Sequence, residues 1–151
     1  MLRRFVSRVL SAFRPAAEGA STYRGDFTGT AVVDYRPNPD GAPDPGEIVW
    51  TWVPFEEDHT QGKDRPVLIV GRRRTALLCL MLTSKDHDGG TRERDYVDIG
   101  AGPWDPRRRP SEVRVDRVLQ IEPAAVRREG AVLGRRQFEI VASALRERGW
   151  Q

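Results

Sequence analysis

The sequence predicts a mainly β domain with helices, an α+β fold, and three observations carry that reading. Five apolar or alternating segments follow one another at short intervals between residues 47 and 121. No helix-length stretch separates them, so parallel crossovers are excluded and a small, strongly bent sheet or partly open barrel is expected. One amphipathic segment closes the chain.

Taken in order, residues 2–14 space Leu2, Phe5, Val6, Val9, Leu10 and Phe13 by threes and fours, which predicts a short amphipathic helix ended by Pro15. Such a helix suits a membrane surface, a partner, or packing on its own domain. Arg8 interrupts the apolar run, so a cleavable signal is not expected. "AVVDY" (31–35) reads as one strand. "RPNPDGAPDPG" (36–46) holds four prolines and two glycines, which excludes a helix or a central strand and marks a loop. The boundary therefore falls near residue 44, giving an N-terminal extension over 1–43 and a main domain over 44–151.

"EIVWTWV" (47–53) is the first strand of that domain, with Trp50 and Trp52 on one face. "RPVLIVGR" (65–72) and "TALLCLMLT" (75–83) are almost continuously apolar, as expected of strands buried on both faces. "RDYVDIG" (94–100) alternates, and "SEVRVDRVLQI" (111–121) alternates over a longer span, with Val113, Val115 and Val118 inward. The helix is expected over about 134–148, with Phe138, Val141, Ala142 and Leu145 as its apolar stripe.

Composition bounds the function. The chain has 151 residues, enough for one domain with a real core, and a net charge of +3. Its cations are almost all arginine, whose planar fork matches phosphate oxygens two at a time. The single cysteine, Cys79, lies in an apolar run and reads as a buried structural thiol. With His59 and His87 as the only histidines, no Cys/His metal cluster can form, and no metal or other cofactor is expected. No run reaches the ~20 apolar residues that span a membrane. The cytoplasm is the expected compartment.

The ordered set "GEIVWTWVPF…QGKDRPVLIV", an apolar strand ending in Thr83, and "RPSEVRVDRVLQIEPAAV" (109–126) resembles the PemK/MazF toxins of bacterial toxin–antitoxin pairs. Gly46-Glu47-Ile48 and Gln61-Gly62…Arg65-Pro66-Val67 match the family's first strand and the end of its first loop. Many members carry Glu immediately before the Gln, where this chain has Thr60. The resemblance covers about residues 44–149. It implies an SH3-like barrel of PemK/MazF type with added helices, a homodimer, and an antitoxin partner that lays an acidic segment in the groove. It also implies metal-independent cleavage of single-stranded RNA, leaving 2′,3′-cyclic phosphate and 5′-hydroxyl ends. The family's functional arginine and hydroxyl fall on Arg65 and Thr83.

That chemistry suits these side chains. Cleavage by the RNA's own 2′-oxygen needs in-line geometry, stabilisation of charge on the phosphorane oxygens, and proton handling. Arg65 can donate two parallel hydrogen bonds to phosphate, and Thr83 one more. His59 lies six residues before Arg65 and His87 four after Thr83, so the two imidazoles are candidates for base and acid. Solvated loop histidines are the plain alternative. Gln61, Lys63, Ser84, Lys85, Trp104, Arg107 and Arg108 are candidate RNA contacts, Trp104 by base stacking beside Arg107–Arg109. The run Arg72-Arg73-Arg74 is a further basic candidate. Two other readings stay open: a non-catalytic module binding RNA or protein, and a toxin of the same superfamily that binds a topoisomerase.

Overall fold

The computed structural model describes residues 23–38, 40–84, 90 and 92–151. The amphipathic segment 2–14, Lys85 and His87 lie outside the described residues. The strands are β1 (Glu47–Pro54), β2 (Gly62–Arg73), β3 (Ala76–Thr83), β4 (Tyr96–Gly100), β5 (Ser111–Arg114), β6 (Leu119–Ile121) and β7 (Arg128–Val132), followed by helix α1 (Arg135–Glu147). They form one sheet in the order β4-β5-β3-β2-β1-β7, with β6 also paired to β3. Every recorded pairing is antiparallel. The mainly β, α+β fold expected from the sequence is the one observed.

Alternation assigns the two faces. Ile48, Leu68, Val70, Leu80 and Leu82 join Phe138, Val141, Ala142 and Leu145 of α1 in one core. Val49, Val53, Val67, Ile69, Leu77, Cys79, Leu119 and Ile121 form a second core on the other face. Cys79 is fully buried, and burial raises its thiol pKa, as a structural thiol requires. Gly149 (φ +99) ends the last helical turn and returns Trp150 to the core, edge-on to Phe27.

Three expectations need correction. Residues 31–35 are extended but join no ladder; Asp34 N–H donates to the Val70 carbonyl, which a bulge in β2 leaves free of β3. The long strand 111–121 breaks into β5 and β6, because β3 offers the first piece residues 82–83 and the second residues 77–79. β7 was not anticipated, since "REGAV" carries two charges and a glycine. The extension also packs closely on the main domain. Val33 is in the first core, and the Tyr35 hydroxyl donates to the Leu133 carbonyl at 2.8 Å.

Two glycines explain motif positions. Gly46 has φ +98, and a Cβ there would sit 2.8 Å from the Tyr35 ring. A Cβ on Gly62 would overlap the Val53 carbonyl oxygen and lie 2.8 Å from the Trp52 ring. Glu47, beside Gly46, accepts the Asn38 and Asp44 backbone N–H groups and so closes the proline-rich loop.

Candidate nucleic-acid interface

The Arg65-Pro66 step has a structural cause. In β2, Ile69 turns its carbonyl to the Gly46 N–H on the β1 side. Alternation then turns the backbone of residue 66 toward β3, and proline has no N–H to give. The β2–β3 ladder accordingly ends at Val67↔Met81. Beyond it β2 stays with β1, where Arg65 faces Thr51, while β3 leaves to pair Thr83 with Glu112 of β5. Continuing the β2–β3 register by two residues sets Arg65 opposite Thr83, on one face of the sheet.

The fork between the parting strands is a trough of about 400 Å³ whose lining includes Lys63, Arg65, Thr83, Ser84, Tyr96 and Arg109. Asp64, Asp105 and Trp50 also line it. Asp64 lies 3.8 Å from Arg127, and Asp105 accepts from Arg109 at 2.8 Å, which holds its carboxyl below the usual range. Among the described residues Lys63 and Arg65 make no ion pair, so two cations are left to a ligand. Arg65 is half-buried, and both burial and the neighbouring charge of Arg117 lower its pKa. A cation short of water and of carboxylates gains most from an arriving anion. Its nearest sequence candidates for a salt bridge are engaged elsewhere, Asp64 as above and Asp58 by the Thr60 backbone and hydroxyl. The departure at Thr60 thus serves the loop's own turn. The trough can bind a phosphodiester through a guanidinium fork, an ammonium and hydroxyls.

The trough brings together Arg65, Thr83, Lys63 and Ser84 of the residues singled out in sequence, together with Arg109. The other candidates among the described residues do not line it. Trp104 is only 4% exposed, its indole donating to Ser111 Oγ and its carbonyl accepting from Trp50 Nε1, so its ring has no free face for a base. Arg107 and Arg108 are exposed but outside the lining; the Arg107 backbone serves Asp105, and Arg108 sits in a left-handed turn (φ 54). Gln61 is exposed, its backbone closing the β1–β2 loop against Phe55. Arg72–Arg74 lie at the opposite end of β2, about 23 Å from Arg65 at the ~3.3 Å rise of a strand. There Arg72 pairs with Asp44 and Arg73 lies over the Phe27 ring.

His59 also lies outside the lining. Its ring meets Tyr23 edge-on with centroids 5.2 Å apart, and its Nε2 is 3.9 Å from Asp26. Tyr96 is one polar lining residue that sequence reasoning missed, as are Asp105 and Ser111. The place of Tyr96 in the alternating segment 94–100 fixed its strand but not the fork that strand faces.

Fold and trough together define a small α+β domain with a cation-bearing trough at the ends of two central strands. A family model described as the PemK-like, MazF-like toxin of type II toxin–antitoxin systems matches residues 44–148, and the chain belongs to that family. Among solved structures it is similar to the Mycobacterium tuberculosis toxin MazF-mt6, with 19% identity and a TM-score of 0.47 over 67% of this chain and 93% of that one. No curated protein matches. No helix among the described residues is long and apolar enough to cross a membrane.

Proposed function

We propose that the protein is a sequence-selective endoribonuclease, the toxin half of a pair, acting on single-stranded RNA in the cytoplasm. One observation carries this: Arg65 and Thr83 line one trough where β2 and β3 part. In the reaction the substrate's 2′-oxygen attacks phosphorus and the bond to the 5′-oxygen breaks. The 2′-oxygen loses a proton and the 5′-oxygen gains one, leaving a 2′,3′-cyclic phosphate and a 5′-hydroxyl. Arg65 stabilises the charge on the non-bridging oxygens as that charge grows, and Thr83 adds a donor. Guanidinium is too weak an acid to supply the proton, so its role is electrostatic. Lys63 and Ser84 hold the flanking strand. The cognate antitoxin lays an acidic segment along the same trough and is drawn to its cations. The active unit is a homodimer.

Incubation of the purified protein with a long single-stranded RNA in EDTA, followed by chemical mapping of the ends, tests the reading. Discrete cuts with cyclic-phosphate ends support it. Intact RNA at high protein concentration overturns it and leaves a binding module or a topoisomerase-directed toxin.

A further inference from the structure

A strap of the chain that precedes the family match runs along β6 and reaches the β1–β2 loop. Arg24 pairs with Glu122 at 2.6 Å, and the Gly25 carbonyl accepts from Gln120 at 3.0 Å. Phe27 bridges Val118. Asp26 takes two hydrogen bonds from Arg117, whose side chain is buried, and a third from the Tyr23 hydroxyl at 2.6 Å. Burial would raise the Asp26 pKa, but the Arg117 and Tyr23 donors hold it below its usual value. From this fixed base the Tyr23 ring edge and the Asp26 carboxylate meet His59 at the tip of the loop. The loop is itself compact, Phe55 and Gln61 being joined across its neck. Two residues past that neck it delivers Lys63, and two further on Arg65, to the trough. A second tie, Glu56 to Arg114 at 2.9 Å, fixes its other side to β5.

We infer that Tyr23 and Asp26 are positioning residues, a latch that grips His59 and so sets the β1–β2 loop and the entry of Lys63 and Arg65 into the trough. The significance for RNA binding rests on the nuclease reading; the latch itself does not. The grip has an apolar part, the ring contact, and a polar part, the approach of His59 Nε2 to the Asp26 carboxylate. The charged and titratable groups around His59 are Asp26, Arg117 behind it, Tyr23, and Asp58 on the loop.

Amide hydrogen exchange on the full chain without RNA reads the latch directly. Tyr23→Ala and His59→Gln, which leave the Asp26–Arg117 pair in place, are expected to speed exchange of the 55–61 amides about tenfold while β3 and α1 exchange as in the wild type. Asp26→Asn is expected to speed exchange of the same amides, and Asp26→Glu to hold them nearer the wild type. In RNA cleavage the Tyr23 and His59 variants are expected to raise KM about three- to tenfold with kcat within about twofold. Unchanged exchange of 55–61 in both Tyr23→Ala and His59→Gln overturns the latch, whether or not Asp26→Asn folds. A wild type that fails to cut RNA overturns the nuclease reading and leaves the exchange result standing.

Discussion

Replacing Arg65 by alanine separates chemistry from stability more sharply than any other change in the trough. The side chain is half-buried and, among the described residues, makes no ion pair. Its removal therefore strands no buried carboxylate and relieves a partly desolvated cation, so the melting temperature is expected to hold or rise slightly. Catalysis is expected to suffer in the opposite sense. Loss of one preorganised donor typically costs about 10²–10³ in rate, and Arg65 offers two toward one phosphate. At about 1.4 kcal/mol per decade, that is roughly 3–4 kcal/mol or more of transition-state stabilisation. Arg65→Lys keeps the charge and loses the fork, so it should fall between alanine and wild type. The assay is single-turnover cleavage of a labelled RNA at saturating enzyme, with thermal melts of each variant. Alanine activity within about threefold of wild type would refute the assignment. So would a fall in activity that merely tracks a fall in melting temperature.

Three further outcomes follow from the packing and the ion pairs. Trp104→Ala should cost about 3–5 kcal/mol by opening a cavity and removing the indole donor to Ser111, visible in denaturant melts; an unchanged midpoint with weakened RNA binding would restore the ring as a stacking surface. Gly62→Ala should cost about 1–3 kcal/mol, because its Cβ overlaps the Val53 carbonyl and β1 must move away from β2; calorimetry decides. Acid should unfold the domain: Asp26, Asp105 and Asp116 all have lowered folded-state pKa values. Their contribution is complete above the ordinary carboxylate value near ~4 and disappears as pH falls through the lower folded values, so melting temperature should decline only below about pH 4.

Much of the fold was legible because burial writes itself as periodicity. The unbroken apolar runs of β2 and β3 announced central strands, and the Phe138–Leu145 stripe announced α1. Arg65 stood out at the polar entry to such a run, whereas its pairing with Thr83 came from the resemblance to the toxin family. What stayed hidden was mostly long-range. Nothing local at 111–121 marks the break between β5 and β6, since Val113, Val115 and Val118 remain apolar through it and only β3 dictates the split. "GPWDPRRRP" looks like an exposed loop, yet Ser111 and Trp50 hold Trp104 inward. His59 reads as a free imidazole because its partners lie more than thirty residues upstream.

The change of partner along β3 also bears on how such a protein can diverge. Arg65 and Thr83 stand at the ends of two central strands, at a branch point where Pro66 has no amide hydrogen to give. The segments that would touch neighbouring bases hang from the periphery. On the nuclease reading, base preference can drift through those outer segments, generation after generation, while this pair keeps its alignment.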